Sequence, residues 1–270
     1  MPAKGRLSEY HAFILDVDGV LVRGGEPIAG SVEGMRCLQA MGRVVLLTNN
    51  SARSRAQTSE RLAGMGFLVR PEDVISTSFM AAQVLSQGGV PRRVFVLGEE
   101  GLREELAAAG HDIVPRDGAD WLVAGICWGL SYDLLSDALA MLSAGARFLA
   151  TNRDATFPTP TGEGPGAGAI VGAIEGMGYA PEVVVGKPCG LGYRLALERL
   201  GVPASEVLMI GDRLETDILG ARRAGIPSAL VLSGVTTVEE IAEKGIRPTW
   251  VADNLKAASD GDLTDVHDIG

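Results

Sequence analysis

Short apolar runs alternate along the chain with stretches of helical periodicity, and this alternation restricts the possible folds more than any other feature of the sequence. The run AFILD at residues 12–16 is followed by a helical pattern over residues 31–41, for which Ser31 is a suitable N-cap. The run VVLLT at residues 44–48 comes next, and a second helix is predicted to begin near Ser54. Strands separated by helices are typical of βαβ units, so we expect a parallel sheet.

The same alternation returns in the last third of the chain and also fills its middle. The late strands are predicted at residues 183–185, 207–210 and 229–232, with helices at 191–200 and 215–224. The middle strands are predicted at residues 93–98, 121–126 and 147–151. We therefore predict an α/β fold in which a Rossmann-like parallel-sheet core, residues 1–76 and 183–270, is interrupted by an inserted α/β cap domain, residues 77–182.

The charge of the chain narrows the range of partners. The formal net charge is −10 at pH 7, and Lys and Arg form no run. We expect no nucleic-acid partner, because phosphate backbones are bound by clustered basic side chains. The segment after Asn254 is predicted to be a solvated acidic tail, and it carries Asp260, Asp262, Asp265 and Asp268.

The sequence also bears on the compartment of the protein. Cys37, Cys127 and Cys189 form no CxxC pair and cannot all pair with one another, which is typical of reduced thiols. No apolar run reaches the roughly 18 residues of a transmembrane helix. The first residues also lack the apolar stretch of a signal peptide. We therefore expect a cytoplasmic protein with no membrane partner.

Four polar segments follow predicted strands. They are DVDG at 16–19, TNNS at 48–51, GKP at 186–188 and GDRLETD at 211–217. Each alone has an ordinary structural explanation, such as an Asx turn, a polar turn, an exposed lysine or a helix cap. The second segment also offers hydroxyls, amides and backbone N–H groups that can hold a phosphate, from Thr48, Asn49 and Asn50.

Taken together, the four segments predict a metal and phosphate site. The carboxyl ends of parallel strands meet at one edge of a sheet, so Asp16, Asp18, Asp212 and Asp217 should crowd together there. Such carboxylates repel one another unless they are protonated or neutralised. Mg²⁺ fits this set best, because it binds a few carboxylates and keeps coordination positions for water and phosphate oxygen. Lys187 and the turn at Thr48 would complete a cradle for a dianion.

The four segments resemble, in order, the motifs of the haloacid dehalogenase superfamily. The matching stretches are DVDGVL at 16–21, LLTNNS at 46–51, VGKP at 185–188 and MIGDRLETDI at 209–218. The insertion between the second and third motifs resembles the phosphatase branch with a large α/β cap. That branch includes nucleotide, sugar-phosphate, phosphoglycolate, glycerol-phosphate, pyridoxal-phosphate and 4-nitrophenyl-phosphate phosphatases. The resemblance covers about residues 12–254.

The resemblance implies a Mg²⁺-dependent hydrolysis of small-molecule phosphate monoesters through an aspartyl-phosphate intermediate. Asp16 would be the nucleophile, and Asp18 the general acid and base. The metal would be held by the side chains of Asp16 and Asp212 and the backbone carbonyl of Asp18. Asp217 would hold a metal-bound water or orient Lys187. Lys187 would pair with the phosphoryl charge, and Thr48 and Asn49 would donate hydrogen bonds to the phosphoryl group.

The resemblance also implies that the cap covers the site and selects the leaving group. Asn152, Arg153 and Asp154 would belong to a cap loop that faces the site and determines substrate specificity. The aromatic residues of the cap are predicted to be core residues rather than substrate contacts, and they are Trp121, Trp128 and Tyr132.

Other functions remain open at this stage. A phosphotransferase or mutase of the same superfamily would use the same Asp16 intermediate. Such enzymes usually carry a smaller helical cap after the first motif, whereas only residues 19–47 separate Asp18 from Thr48. A non-catalytic phosphate-ligand-binding protein would be expected to lack one of the motif residues, and a phosphoprotein substrate would be hindered by a large cap. The physiological substrate is not fixed, nor is the oligomeric state, although caps of this branch often contribute to homodimers.

Overall fold

The computed structural model describes residues 7–159 and 162–268. Its first segment alternates strands and helices, with a small hairpin after the first strand. The strands are β1 (Ala12–Leu15), β2 (Val22–Arg23), β3 (Glu26–Pro27), β4 (Arg43–Thr48) and β5 (Val74–Ser76), and the helices are α1 (Ser31–Met41) and α2 (Arg55–Gly64). All residues of β1 are buried, as expected of a strand covered on both faces.

The middle segment repeats the alternation and forms a second sheet. Its helices are α3 (Thr77–Leu85), α4 (Glu100–Ala108), α5 (Tyr132–Ser143) and α6 (Ala167–Glu175). Its strands are β6 (Arg93–Leu97), β7 (Asp112–Ile113), β8 (Trp121–Ala124), β9 (Arg147–Ala150), β10 (Thr156–Thr159), β11 (Gly162–Pro165) and β12 (Val183–Val184).

The last segment returns to the first sheet. Its helices are α7 (Gly190–Leu200), α8 (Leu219–Arg223), α9 (Val238–Lys244) and α10 (Leu255–Ser259), and its strands are β13 (Val207–Gly211), β14 (Ser228–Val231), β15 (Trp250–Ala252) and β16 (Thr264–Asp265). A π-helical turn, Leu214–Ile218, precedes α8, where the sequence predicts one continuous helix. The helix is therefore wider at its start, next to the end of β13.

The two sheets are largely parallel. The first has the strand order β16-β15-β14-β13-β1-β4-β5, and the second has the order β12-β9-β8-β6-β7. In the first sheet β1 lies between β4 and β13 and pairs in parallel with both, so the carboxyl ends of these three strands are adjacent. β16 is antiparallel to β15, and the second sheet is parallel throughout its described pairs.

Two further predictions from the sequence differ from the structure in local detail. The strand Val183–Val184 pairs with Leu149 and Ala150 in the second sheet, although the sequence prediction assigns it to the core. Short strands of Val residues carry no information about which sheet they join. Ser31 is not the N-cap of α1, because Gly30 takes that position with a φ of 78°, and the Ser31 hydroxyl donates to the carbonyl of Leu21 instead.

The C-terminal segment is not a solvated tail. It forms α10 and β16, and Leu255, Ala258 and Leu263 are buried against the first sheet. Asp260 and Asp262 remain exposed. The apolar residues between the aspartates therefore decide the fold of this segment, since burying them is favourable while the carboxylates keep their contact with water.

A continuous hydrophobic cluster joins the two sheets. It contains Ile14 and Leu47 from the first sheet, Val96 and Val123 from the second, and Met80 of α3. Tyr193 and Ala196 of α7 belong to the same cluster. The two sheets thus share buried apolar contacts in addition to their own cores. None of the helices in the described part of the chain has the length and apolar character needed to cross a lipid bilayer.

Candidate active site

Three adjacent strands of the first sheet deliver polar side chains to one edge. Asp16 directly follows β1, Thr48 ends β4, and Asp212 directly follows β13. The Asp16 backbone N–H donates to the carbonyl of Ile210 in β13 at 2.9 Å, which continues the sheet pairing up to Asp16. The parallel pairing of these three strands therefore brings Asp16, Thr48 and Asp212 to the same sheet edge, where the sequence predicts a site.

Three buried carboxylates meet at this edge. Asp16, Asp212 and Asp217 each present an oxygen, and these oxygens lie within 4.8 Å of one another. Asp217 is carried by the π-helical turn, and its Oδ2 accepts hydrogen bonds from the backbone N–H groups of Asp212 and Arg213 at 3.2 and 3.1 Å. The buried Tyr193 hydroxyl, 3.0 Å from the Asp217 carbonyl, holds the turn from below.

Lys187 enters the carboxylate cluster from the loop after β12. Its Nζ donates to Asp16 Oδ1 at 2.6 Å and to the Leu47 carbonyl at 3.0 Å, and it lies 2.7 Å from Asp217 Oδ1. Burial alone would lower the pKa of Lys187, but the neighbouring Asp16 and Asp217 carboxylates outweigh it and raise that pKa well above its usual value. The lysine is therefore a permanent cation at neutral pH.

The cluster has the features of a divalent cation site. Burial, reinforced by the charge of Asp217, raises the pKa of Asp212 to about 7. Asp212 Oδ2 accepts from the Val235 N–H at 3.1 Å, whereas its buried Oδ1 has no hydrogen-bond partner among residues 7–159 and 162–268. A buried carboxylate oxygen without a partner is rare. Oxygen ligands of this kind are what Mg²⁺ prefers, so the residues present fit the ion.

Two glycines pack against Asp212 and leave it no room to move. A Cβ at Gly19 would lie 2.3 Å from Asp212 Oδ2, and one at Gly234 would lie 2.0 Å from it. Gly19 also has a φ of 94°, which favours glycine for a second reason.

Burial raises the pKa of the Asp16 carboxyl well above its usual value, although the positive charge of Lys187 opposes the shift.

Asp18 lies beside the cluster and is only partly buried. Desolvation raises the pKa of its carboxyl, and the positive charges of Arg61, Lys187 and Arg53 oppose the shift. Its side chain is not one of the three clustered carboxylates. A carboxyl with a raised pKa is suited to give and take a proton near neutral pH.

The turn after β4 has a different role for each of its polar residues. The Thr48 hydroxyl accepts from the Asn50 N–H at 3.1 Å and keeps its own proton available. Asn50 Oδ1 accepts from the N–H groups of Ala52 and Arg53, as in an Asx turn. The Asn49 side chain, predicted to bind phosphate, is instead bonded to the backbone of Lys187 and to the Asp154 carboxylate.

The three predicted specificity residues of the cap separate in the structure. Asn152 is buried and donates to the Asn49 carbonyl at 2.7 Å, while its Oδ1 accepts from the Asp154 N–H at 3.0 Å. Asp154 lines the active-site cavity. Arg153 does not reach that cavity, because its guanidinium forms a two-pronged ion pair with Glu175 on α6, at 3.0 and 2.7 Å. Its exposed side chain therefore departs from the predicted site-facing role.

The active-site cavity has a volume of about 300 Å³ and lies between the two sheets. Its floor contains Asp16, Asp18, Thr48 and Lys187. Its walls include three arginines that sequence reasoning missed, namely Arg53, Arg61 and Arg213. The Asp212–Arg213 adjacency is visible in the fourth motif, but no spacing rule connects Arg53 or Arg61 to the site.

The cap contributes both polar and apolar side chains to the cavity. The polar ones include Asn152, Asp154, Thr156 and Thr159, and the apolar ones are Ile126, Trp128, Phe157 and Ala167. The prediction that the cap aromatics are core residues holds for Trp121, which is buried with Arg147 stacked 4.0 Å from its ring. It is wrong for Trp128, whose surface is 66% exposed at the cavity, and for Tyr132, which is exposed outside it.

Two family models match the two ends of the chain, the first of them extending into the middle segment, and known proteins match most of its length. The family model described as haloacid dehalogenase-like hydrolase matches residues 13–112, and the HAD-hydrolase-like model matches residues 184–258. The sugar-phosphatase AraL of Bacillus subtilis is 36% identical over 247 residues, which cover 90% of this chain and 90% of that protein.

Solved structures of phosphatases are also similar to this chain. The p-nitrophenyl phosphatase from Archaeoglobus fulgidus superposes with a TM-score of 0.87 at 36% sequence identity, over 93% of this chain and 98% of that one. A glycerol phosphate phosphatase from Mycobacterium tuberculosis, solved in complex with magnesium, superposes with a TM-score of 0.86 at 34% identity, over 95% of this chain and 78% of that one.

Proposed function

The chain belongs to the haloacid dehalogenase-like hydrolase family, and from this premise we propose that it is a Mg²⁺-dependent phosphatase of small-molecule phosphate monoesters. Its relatives are named as sugar, glycerol phosphate and p-nitrophenyl phosphatases. The observation that carries the proposal is the buried contact of Asp16 with Lys187 beside two further carboxylates, one of which has an unpartnered oxygen. The proposed substrates are phosphate monoesters of sugars, glycerol, glycolate or nucleosides.

Asp16 acts as the nucleophile in the first half-reaction. A carboxylate oxygen of Asp16 forms a bond to phosphorus while the ester P–O bond breaks, which gives an aspartyl phosphate. Asp18 donates its proton to the leaving alkoxide, and its raised pKa supports this role because the carboxyl holds a proton more readily than an exposed aspartate. The alcohol then leaves through the cap side of the cavity.

The second half-reaction hydrolyses the aspartyl phosphate. Asp18, now ionised, takes a proton from a water molecule as the water oxygen bonds to phosphorus. The bond between phosphorus and the Asp16 oxygen breaks, and inorganic phosphate is released. Both residues return to their starting protonation states, so one ester and one water give one alcohol and one phosphate.

The remaining polar residues bind charge and hold geometry. Lys187 pairs with the phosphoryl oxygens as well as with Asp16, and Thr48 donates its hydroxyl proton to them. Asn49 acts through its backbone N–H group or by fixing the loop, and Asn50 fixes the loop through its bonds to Thr48, Ala52 and Arg53. Asp16, Asp212, Asp217 and the Asp18 carbonyl would hold Mg²⁺. When bound, the ion supplies positive charge that offsets the repulsion between a carboxylate nucleophile and a phosphate dianion.

The proposal is tested by phosphate release from a panel of metabolite monophosphates and 4-nitrophenyl phosphate, with Mg²⁺ and with EDTA. We expect turnover with Mg²⁺, none with EDTA, and recovery when Mg²⁺ is restored. Asp16→Asn should abolish turnover while the protein remains folded. The control Asp117→Asn changes an exposed aspartate on the second sheet's periphery and should keep full activity. Full activity of Asp16→Asn would overturn the nucleophile assignment.

The proposal also covers the domain organisation, the location and the assembly of the protein. The sequence prediction divides the chain into a core of residues 1–76 and 183–270 and a cap of residues 77–182. Because β12 pairs with the second sheet, we propose that the core resumes at about residue 186 and that the cap covers the site. Asp154 is the cap residue that faces the substrate. The enzyme is cytoplasmic, has no nucleic-acid partner, which its net charge of −10 supports, and forms a homodimer. Light scattering on the purified protein would measure the dimer, and a monomer at micromolar concentration would exclude it.

A further inference from the structure

The active-site cavity has two chemically different ends. One end carries the acidic and basic residues described above, and the other, towards the cap, includes an apolar surface beside the polar side chains of Asn152, Asp154 and Thr156. This apolar surface is formed by Ala52 of the first segment with Ile126 and Ala167 of the cap, which are buried together with Phe157 packed against them. Trp128 completes this surface at the cavity wall. A phosphate ester held by the charged end therefore extends its leaving group toward a wall that includes apolar and aromatic side chains.

Trp128 is unlike the other tryptophans of the chain. Trp121 and Trp250 are 5% and 8% exposed, and the indole N–H of Trp250 donates to the Tyr10 hydroxyl. Trp128 is 66% exposed. Its indole N–H has no hydrogen-bond partner in the part of the chain that the structure describes. Neither burial nor a hydrogen bond of the indole therefore accounts for a tryptophan at this position.

The backbone that carries Trp128 is nevertheless held in place. The Trp128 N–H donates to Glu99 Oε1 at 2.7 Å, at the start of α4. The N–H of Ile126, two residues before Trp128, donates to the Ser51 hydroxyl at 3.0 Å and so connects this loop to the turn after β4. An exposed indole on a fixed backbone beside a substrate cavity is preorganised for contact with a ligand.

We propose that Trp128 is a specificity-determining residue that stacks on an aromatic ring in the leaving group of the substrate. The inference rests on the proposed phosphatase function and narrows its substrate class to monophosphate esters with an aromatic or heteroaromatic ring, such as nucleobases. Aromatic side chains bind flat rings by stacking, which removes water from the two ring faces that come into contact. Phe157 and Ile126 border the same space, and the cavity of about 300 Å³ has room for one ring system beside the phosphate.

The test compares benzyl phosphate with glycerol 1-phosphate as substrates. Both esters have primary alcohols as leaving groups, so their chemistry is similar while only one carries a ring. In Trp128→Ala we expect kcat/KM for benzyl phosphate to fall about 10-fold or more, the size of effect seen when a stacking residue is removed. The kcat/KM for glycerol 1-phosphate should change less than about twofold, which also demonstrates that the variant is folded. Trp128→Phe should retain most of the activity toward benzyl phosphate.

Tyr132→Ala is the matched control. Tyr132 is 85% exposed and lies four residues further along the chain, outside the cavity. This variant should leave both kcat/KM values unchanged. An equal fall for both esters in Trp128→Ala, or no change for either, would overturn the proposal.

A binding measurement separates this inference from the phosphatase function itself. In Asp16→Asn, benzyl phosphate should shift the emission of the exposed Trp128 to shorter wavelength, because stacking removes water from the indole, while glycerol 1-phosphate should not. Trp128→Ala in the same background should lose the response. If the wild-type protein hydrolyses no ester of the monophosphate panel, the phosphatase proposal fails, whereas the fluorescence still tests the stacking. Absence of the emission shift at saturating benzyl phosphate would overturn the role of Trp128.

Discussion

The ammonium of Lys187 donates a hydrogen bond to the carboxylate of Asp16 across 2.6 Å, and both side chains are more than nine-tenths buried. The same nitrogen lies 2.7 Å from Asp217. One cation thus neutralises part of a cluster that contains three carboxylates. Removal of one partner from such a cluster leaves buried charge without compensation, which typically costs about 3–5 kcal/mol.

Lys187→Met should therefore abolish turnover and reduce the free energy of unfolding by about 3 kcal/mol or more in Mg²⁺-free buffer. Urea denaturation followed by circular dichroism measures the change. Adding Asp217→Asn to Lys187→Met should recover part of the lost stability, because it removes one of the uncompensated carboxylates. An unchanged urea midpoint in the single variant would show that the ion pairs contribute no net stability.

The pKa of Asp212, raised to about 7 from 3.8, predicts how the metal-free protein responds to pH. Between about pH 4 and pH 7 the folded state binds a proton that the unfolded state has lost, so the free energy of unfolding should fall as the pH rises through this window. The effect is on the order of a few kcal/mol. Mg²⁺ should restore stability most strongly above pH 7, where Asp212 is ionised.

Thermal unfolding with EDTA and with Mg²⁺, from pH 4.5 to 8, measures this dependence. Asp212→Asn is the control, since it cannot ionise and should flatten the pH dependence and remove the response to Mg²⁺. A metal-free protein that becomes more stable between pH 5 and pH 7, relative to Asp212→Asn, would contradict the prediction.

Gly234→Ala should weaken Mg²⁺ binding. The added Cβ would lie 2.0 Å from Asp212 Oδ2, so the carboxylate must shift and lose its bond from the Val235 N–H. Changes that misplace a metal ligand typically reduce affinity about 10- to 100-fold. The Mg²⁺ concentration that gives half-maximal activity measures the effect. Gly172→Ala adds the same methyl in open space on α6 and should leave that concentration unchanged.

Arg153 and Asn152 are neighbours in sequence but should respond differently to substitution. Arg153→Gln should leave kcat/KM within about twofold of the original value, because surface ion pairs such as that with Glu175 contribute little. Asn152→Ala removes a buried amide that bonds to the Asn49 carbonyl and the Asp154 N–H, so it should cost about 1–3 kcal/mol of stability and lower kcat. Equal effects of the two variants on kcat would contradict the different positions of their side chains.

The sequence predicts most strands and the meeting of the acidic motifs, because both depend on local patterns. Apolar runs mark β1, β4, β8 and β13, and parallel pairing then brings Asp16 and Asp212 together. The partner sheet of Val183–Val184 could not be predicted, since strand pairing is decided by distant contacts.

The residues that the sequence leaves unassigned act through tertiary packing. Arg61 of α2 and Trp128 both line the cavity, and the loop that carries Trp128 is held by a hydrogen bond from its backbone N–H to Glu99. Arg153 pairs with Glu175, 22 positions away, and no motif records that contact. The Asn49 amide is similarly occupied by Lys187 and Asp154. Such contacts become visible only when the side chains are placed in space.

The hydrophobic cluster that joins the two sheets limits how this enzyme can be recombined with its relatives. Met80 of α3 and Tyr193 of α7 pack in one cluster with β-strand residues from both sides. A chimera that exchanged the middle segment at its connecting loops would bring a foreign apolar surface against α7 and leave voids or overlaps there. Transfer of substrate preference between relatives therefore requires either exchange of the cavity-facing loops alone or redesign of the facing residues on both sides of the boundary.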